Sequence, residues 1–447
     1  MSYQVPEHID KKKIFLVNKA KIQERFDAIY HKERFDFTGF VRLGSVVSIK
    51  GGKRIPKGMD YCNNETSHQY LRVSDIMDDS FVDFKQLKFI DDKVYNILKR
   101  YQLNEGDITV SIAGTIGKVY LAKHLPINKN IILTENCAKL VVGNNSVLPE
   151  YIAIMLQMPI LQKQMELNYI QTTIPKIGLD RIGKLMIPKI PNNNIQNKII
   201  DQYNSIINNK KQKNKESQQL IDGIENYLLN KLGIKLPTIS NSINNRVFKT
   251  SFRGIAGGRM DPVKVLYLGD KAKSEKFPNI QLRRIASIVK GQAITSDEII
   301  DGPYPVIAGG QTSPYCHNIF NHNGNVITVS ASGAYSGFVW YHDEPIFASD
   351  CSVIKSYDEN RFRTKYIFEV LKAQQKHIYL LQQGAGQPHV YPSDLGELWI
   401  PEIDIQQQDE IITEIQAIRD KAASLRKEAE EGFDKAKKEV EKQIMGE

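Results

Sequence analysis

The longest regular alternation of apolar and polar positions lies near the end of the chain. Ile411, Ile415, Ile418, Ala422, Leu425, Ala429, Phe433, Ala436, Val440 and Ile444 recur at spacings of three and four between charged flanks. Residues 402–447 hold no proline, and Gly432 is the single glycine ahead of the last two residues. The pattern predicts one long helix over 404–447 with a coiled-coil seam. A second long helix is predicted over 193–232, where Ile199, Tyr203, Ile206, Leu220, Ile224 and Tyr227 share a stripe. Its middle, residues 208–219, is polar and basic. It reads as a solvated stretch, as a helix–turn–helix break, or as a basic face passing near nucleic acid.

The rest of the chain is written in shorter units. Ile108–Ser111 and Val326–Ser330 are β-branched runs bounded by glycine or asparagine, and each reads as a strand followed by a glycine-containing loop. These two runs open near-identical sentences, ITVSIAGTIGKVY at 108–120 and ITVSASGAYSGFVW at 327–340. Further anchors keep the same order. Arg25–Asp27 matches Arg259–Asp261, Leu43–Gly52 matches Leu282–Gly291, and Asn136-Cys137 matches Asp350-Cys351. The helix-like Tyr151–Leu156 matches Tyr366–Leu371, Leu185–Pro188 matches Leu398–Pro401, and Ile195-Gln196 matches Ile405-Gln406. A unit this long is no solenoid repeat. It is a duplicated domain, and approximate two-fold symmetry within one chain is expected.

The expected organisation is an N-terminal segment 1–40, a mixed block 41–192, a helix 193–232, a linker 233–275 that starts the second repeat, a second mixed block 276–403 and a final helix 404–447. The fold class is α+β: two pseudo-two-fold-related mixed α/β domains separated by two long antiparallel coiled-coil helices. Such helices pair antiparallel when the blocks sit at opposite ends, so a dumbbell with a helical shaft is expected.

Composition adds limits. At 447 residues, with 25% charged and 41% hydrophobic side chains, the chain has room for two or three ordinary globular domains. No apolar run approaches a membrane span, and MSYQVPEHIDKKK lacks a signal-peptide core, so no membrane association and a cytoplasmic protein are expected. The net charge of +9 is unevenly spread. Residues 42–190 carry twenty Lys and Arg against fourteen Asp and Glu, residues 262–404 thirteen against fifteen, and residues 405–447 eight against eleven. The basic first half suits a polyanionic partner. For the second block to bind one, its cations would have to cluster on one face. Cys62, Cys137, Cys316 and Cys351 stand far apart without CxxC or Cys/His spacing, which predicts reduced, mostly buried thiols and no zinc site.

Catalytic patterns are missing. Gly114–Lys118 has the outline of a phosphate loop but reads GxxGK, and its copy at Gly333–Phe338 lacks the lysine. No HExxH, GxSxG or GxGxxG occurs in a suitable context. The Pro-Pro-aromatic tetrapeptide of amino-methyltransferases is absent, and the acidic pair in Asp91-Asp-Lys93 is too short a signal for a nuclease. The nine histidines share no spacing, and His389 alone lies in a distinctive loop, Gly386–Val390. Such a chain suits recognition better than chemistry.

Several of these segments together carry a resemblance. Lys50–Gly58, Lys290–Ser296 with Tyr304–Gly310, the two ITVS–Gly segments, Gly386–His389 and the two Ile-Pro exits into long helices resemble, as an ordered set, the specificity (S) subunit of type I restriction–modification systems. The resemblance runs from about residue 14 to 447. It departs where Gly384–His389 of the second copy faces Thr172–Ile177 of the first. It implies two target-recognition domains, 41–192 and 276–403, each reading one half of a split sequence in double-stranded DNA, with the helices as spacer and docking surface. It implies two modification subunits that carry S-adenosylmethionine and methylate adenine N6. It also implies motor-nuclease restriction subunits that use ATP and Mg. This chain would then hold no cofactor, metal or catalytic residue of its own.

Sequence is read at base edges, whereas phosphate contacts supply affinity. The candidate DNA-binding residues are Lys50, Lys53, Arg54, Lys57, Thr115 and Lys118 in the first copy. In the second they are Lys290, Gln292, Gln311, Thr312, Ser332, Gln383, Gln387 and His389. Two other classes compete: a structural coiled-coil adaptor, and the recognition partner of another class of DNA methyltransferase or restriction enzyme. An adaptor has no need of two diverged glycine-loop domains.

Overall fold

The computed structural model describes residues 6, 10, 14–17, 37–77, 80–168, 175–239, 249, 262–267, 269–384 and 386–446. The Arg25–Asp27 and Arg259–Asp261 match lies outside them, as do residues 172–174 of the first copy's divergent loop. The chain divides into two compact units, residues 1–211 with 429–447, and residues 212–428.

The first unit contains β1 (Val41–Arg42), β2 (Val47–Gly51), β3 (His68–Leu71), β4 (Lys88–Phe89), α1 (Asp92–Leu98), β5 (Ile108–Ser111), β6 (Val119–Leu121), β7 (Asn130–Leu133) and β8 (Cys137–Val142). It continues through α2 (Pro149–Leu156), α3 (Pro159–Asn168), α4 (Leu179–Gly183), β9 (Met186–Ile187) and the first part of α5 (Asn193–Leu232). Local chemistry sets several boundaries. The Asp91 carboxylate accepts from Val94 N at 2.7 Å and caps α1, and Pro149 occupies the first turn of α2. Strands order as β2-β8-β5-β6 in one antiparallel sheet and β4-β3-β7 in another, with β1 paired to β9. The four residues of β5 are all buried, because both faces of its sheet are covered. Ile108 and Val110 pack with Tyr151, Ile152 and Met155 of α2. On the other side Tyr120 and Cys137 meet Leu71, Ile131 and Leu133 of the small sheet.

The second unit repeats this plan with β10 (Asn279–Gln281), β11 (Ala286–Lys290), β12 (Tyr304–Ile307), β13 (Cys316–His317), β14 (Val326–Ser330), β15 (Val339–His342), β16 (Phe347–Ala348), β17 (Cys351–Ser356) and β18 (Trp399–Pro401). Its helices are α6 (Pro262–Tyr267), α7 (Thr364–Ala373), α8 (Gln375–Ile378), α9 (Pro392–Leu395) and part of α10 (Ile405–Met445). The sheet orders β11-β17-β14-β15, β13-β12-β16 and β10-β18 copy those of the first unit strand for strand. Ile327, Val329 and Ile354 pack with Tyr366, Ile367 and Val370 of α7. The duplication read from the sequence is therefore a duplication of topology.

Each unit also holds an antiparallel pairing of its portions of α5 and α10. In the first, Ile199 and Tyr203 share a core with Val440 and Ile444, and Lys210 pairs with Glu430 at 2.7 Å. In the second, Leu228 and Leu232 meet Ile411 and Ile415, Ser217 Oγ donates to the Ala422 carbonyl at 2.8 Å, and Lys213 pairs with Glu428 at 2.9 Å. Every apolar position of the predicted stripe from Ile411 to Ile444 is buried or half-buried. The polar stretch 208–219 is unbroken helix, which rules out a helix–turn–helix break there. Its Lys210 and Lys213 are answered by acids of α10.

One sequence match shifts by two residues. Gln196 is fully buried, accepts from Leu148 N and donates to Ser146 O, both at 2.8 Å. Gln408, not Gln406, does the same in the second unit, accepting from Arg363 N and donating to Arg361 O, both at 2.9 Å. In each unit a buried glutamine fastens the start of α2 or α7 to a long helix. The thiols also depart in part from expectation. Cys137 and Cys351 are buried, and burial pushes both up to about 12. Cys62 is half-buried, and Cys316 is exposed on the short edge strand β13. Among the described residues no helix is long and apolar enough to cross a membrane, and no three His, Cys, Asp or Glu are grouped to hold a metal.

Candidate nucleic-acid interface

In the first unit, loops converge on the end of the four-stranded sheet where β2 and β5 finish and β8 begins. Gly52 N donates to Cys137 O, Lys53 N to Leu133 O, and Ile112 N to Asn136 O, at 2.8–3.1 Å. The segment 175–177 joins them, with Gly114 N donating to Pro175 O and Ile177 N to Ile112 O. Gly52 has no substitute, since a Cβ there would lie 1.9 Å from the Thr134 carbonyl oxygen. Gly114 and Gly117 hold φ of +74° and +87° in the turn after β5.

The second unit builds the same knot. Gly291 N donates to Cys351 O, Gln292 N to Ala348 O, and Ala331 N to Asp350 O. Gly333 N donates to Pro388 O and Val390 N to Ala331 O, both at 3.0 Å. A Cβ on Gly291 would meet the Ser349 carbonyl at 2.1 Å. This geometry resolves the divergent loop. Pro175-Lys176-Ile177 occupies the place of Pro388-His389-Val390, so Lys176, exposed on the loop, is the counterpart of His389. Sequence reasoning missed Lys176. The one signal for it was the shared Pro-x-(Ile/Val) pattern three residues beyond the point where the copies diverge.

Lys50, Lys53, Arg54, Lys57 and Thr115 are exposed around this end of the first unit. Arg54 Nε donates to Glu135 Oε1 at 2.5 Å, and that hydrogen bond chiefly raises the guanidinium's already high pKa. Lys118 does not join them: its Nζ turns inward and donates to Ile76 O at 2.8 Å. In the second unit Lys290, Gln311 and Gln387 are exposed, as is Thr312, while Gln292 is exposed beside Gly291. Ser332 and His389 form a bridge, and Gln383 and His389 exchange backbone hydrogen bonds at 2.8 and 2.9 Å. The His389 ring stacks 6.2 Å from that of Tyr391. Two candidates are engaged through their side chains, Gln383 with the buried Asp394 at 2.6 Å and Ser332 with the exposed Asp350.

The two loop ends differ in charge. The first carries Lys50, Lys53, Arg54, Lys57 and Lys176 against Glu135. Among the candidates of the second, Lys290 is the one permanent cation, beside exposed amides, Thr312 and His389. Among the described candidate residues of this end no second permanent cation joins Lys290. Arg361 and Arg363 pair with Glu402 and Asp409, Lys376 pairs with Glu225, and Lys372 is held against the Val339 carbonyl.

Comparison with known proteins finds a match to the family model "Type I restriction modification DNA specificity domain" over residues 36–220 and again over 274–431, together well over half of the chain. A solved structure titled "Structural basis underlying complex assembly and conformational transition of the type I R-M system" is similar at 14% identity and TM-score 0.53, covering 91% of this chain and 97% of the other. The S subunit of a type I restriction–modification system from M. genitalium is 16% identical, with TM-score 0.44 over 90% of this chain and 95% of its own. The HsdS subunit from Thermoanaerobacter tengcongensis is 13% identical, with TM-score 0.40 over 91% and 96%. No curated protein matches the chain.

Proposed function

The chain belongs to the type I restriction–modification DNA specificity family, and from that premise we propose that it reads a bipartite site in double-stranded DNA, one half with each domain. Two modification subunits dock on it and methylate adenine in the site with S-adenosylmethionine that they bind. Restriction subunits, driven by ATP and Mg, join the same assembly to translocate and cut unmodified DNA. The chain itself contributes recognition and scaffold and no catalytic group.

The observation that carries this reading is the knot of loops built twice from the same backbone hydrogen bonds, at the same end of two sheets of the same topology. Between the two copies the framework is kept and the side chains on it are changed. Lys53 stands where Gln292 stands, and Lys176 where His389 stands. A frame that is constant while its outward groups vary suits two domains that read different base sequences, since direct readout depends on side chains at base edges. The positive first loop end supplies phosphate affinity. An adaptor would leave these groups without a role.

The test is methylation by the chain with and without its modification subunits, read by sequencing methylated positions. The complex is expected to methylate adenine in one split motif, and the purified chain alone to transfer no methyl group. Methylation by the chain alone, or methylation by the complex without a motif, would overturn the reading.

A further inference from the structure

We propose that Arg54 and Glu135 together read one G·C base pair in the half-site of the first domain, Arg54 taking guanine O6 and N7 and Glu135 the amino group of the paired cytosine. The inference rests on the reading of the chain as a specificity subunit and names part of its code.

Four observations lead there. First, the guanidinium is aimed. Its Nε is spent on Glu135 at 2.5 Å, which leaves the two terminal nitrogens as a fork, while the side chain is 79% exposed. A guanidinium fork matches the two acceptors on the major-groove edge of guanine. Second, the backbone beneath it is fixed from both sides. Lys53 N donates to Leu133 O at 3.0 Å, the Tyr70 hydroxyl donates to Lys53 O at 2.8 Å, and Gly52 is wedged against Thr134. The root of the side chain is thereby held, and the Nε bond to Glu135 restrains its far end.

Third, the carboxylate is kept ionised. Burial alone would raise the Glu135 carboxyl, but hydrogen bonds from Arg54, from its own backbone amide and from Thr134 outweigh burial and hold it below its ordinary value. Its Oε2 accepts from Thr134 Oγ1 at 3.0 Å, which fixes the group in place. A phosphate brought to the Arg54 fork would also meet this negative charge. A G·C edge presents two acceptors to the arginine and, on the neighbouring base, an amino donor to the glutamate. The pair therefore suits a base pair better than the DNA backbone.

Fourth, the device belongs to one domain. Four steps separate Leu133 from Cys137, whereas three separate Ala348 from Cys351, with Thr134 and Ser349 equivalent through their bonds to Leu71 and Ile307. Glu135 is the extra residue, and Ala293 stands at the position of Arg54.

The test uses the full chain assembled with its modification subunits, on a DNA library randomised at every position of the site. Arg54→Ala is expected to relax one guanine position of one half-site, with discrimination there falling about ten- to a hundred-fold. Other positions and the other half-site keep their preference. Arg54→Lys keeps the charge and is expected to relax the same position, and Glu135→Gln to relax it less. Unchanged stringency, uniform weakening at every position, relaxation at an A·T pair, or a change in the other half-site would each overturn the pair as a reader. Methylation without any motif in the unaltered complex would instead remove the reading on which the inference rests.

Discussion

Glu369 and Arg419 form a bidentate ion pair between α7 and α10, at 2.6 and 2.7 Å, with the glutamate 1% exposed. The register set by Tyr151 with Tyr366, and by Gln196 with Gln408, places Ile154 and Ile207 at the corresponding positions of the first unit. Those two isoleucines belong to one apolar core. One fastening of sheet-backing helix to long helix is thus made twice, once by dispersion and once by charge. Removing one partner of a buried pair strands the other, at about 3–5 kcal/mol, whereas replacing both with apolar groups is neutral or stabilising. Arg419→Ala should therefore lower stability on the order of 3 kcal/mol. The double change Glu369→Ile with Arg419→Ile should restore it. Denaturant unfolding of the three proteins checks this, and an Arg419→Ala cost under about 1 kcal/mol would show that the pair is not needed.

A second prediction concerns the two close approaches of backbone at Gly52 and Gly291. A methyl group at either meets a carbonyl oxygen at 1.9 or 2.1 Å. The strand end must move away, at a cost of about 1–3 kcal/mol for forced overpacking. Gly52→Ala should also blur recognition of the first half-site alone, since Lys53 and Arg54 follow directly. Gly143→Ala, with nothing within 4 Å of its Cβ, serves as the control. Equal melting temperatures for Gly52→Ala and Gly143→Ala would contradict the packing argument.

Much of this was legible in the sequence because it depends on period and order. The stripe from Ile411 to Ile444, the strands Ile108–Ser111 and Val326–Ser330, and the duplication all follow from local pattern. The details that failed depend on three-dimensional closure. Lys118 sits in a glycine-rich turn and reads as a surface cation, yet its ammonium reaches the Ile76 carbonyl 42 residues away. Lys176 was hidden because the residues before it diverge, and a backbone bridge to Ala113 is invisible to alignment. Gln408 was masked by Gln406 and Gln407, since three consecutive glutamines offer no clue to which one is buried.

The charge difference between the loop ends yields a third prediction. Each phosphate that the protein neutralises adds about 0.9 to the steepness of log affinity against log salt. Changing Lys53, Lys57 and Lys176 to Ala in the assembled complex should flatten that slope by up to about 2.7. Lys290→Ala should flatten it by at most about 0.9. Affinity measured over a salt series on one DNA decides the matter. An unchanged slope in the triple variant would place those lysines away from the DNA backbone.

The second unit should also lose stability as pH falls from 6.5 toward about 4, through His342. This ring lies between β15 and β14, 8% exposed, with its Nε2 2.8 Å from Thr328 Oγ1 and the Trp340 ring 5.0 Å away. Burial pushes its pKa from 6.5 down to about 4, and Asp343 offsets only part of that effect. Burial, with Lys355 adding to it, lowers His322 in the same unit. The sign follows from proton counts. Between pH 6.5 and about 4 the unfolded chain holds a proton on His342 that the folded chain does not. Stability from this residue is thus fully present above pH 6.5 and declines as pH falls toward 4. At about 1.4 kcal/mol for each pH unit crossed, the loss is on the order of 3 kcal/mol. His342→Gln keeps a donor and acceptor near Thr328 but carries no titrating proton. The difference in unfolding free energy between the two proteins should therefore change steeply as pH falls from neutral toward about 4. A difference that stays flat across that range would mean that His342 titrates alike in the folded and unfolded chain.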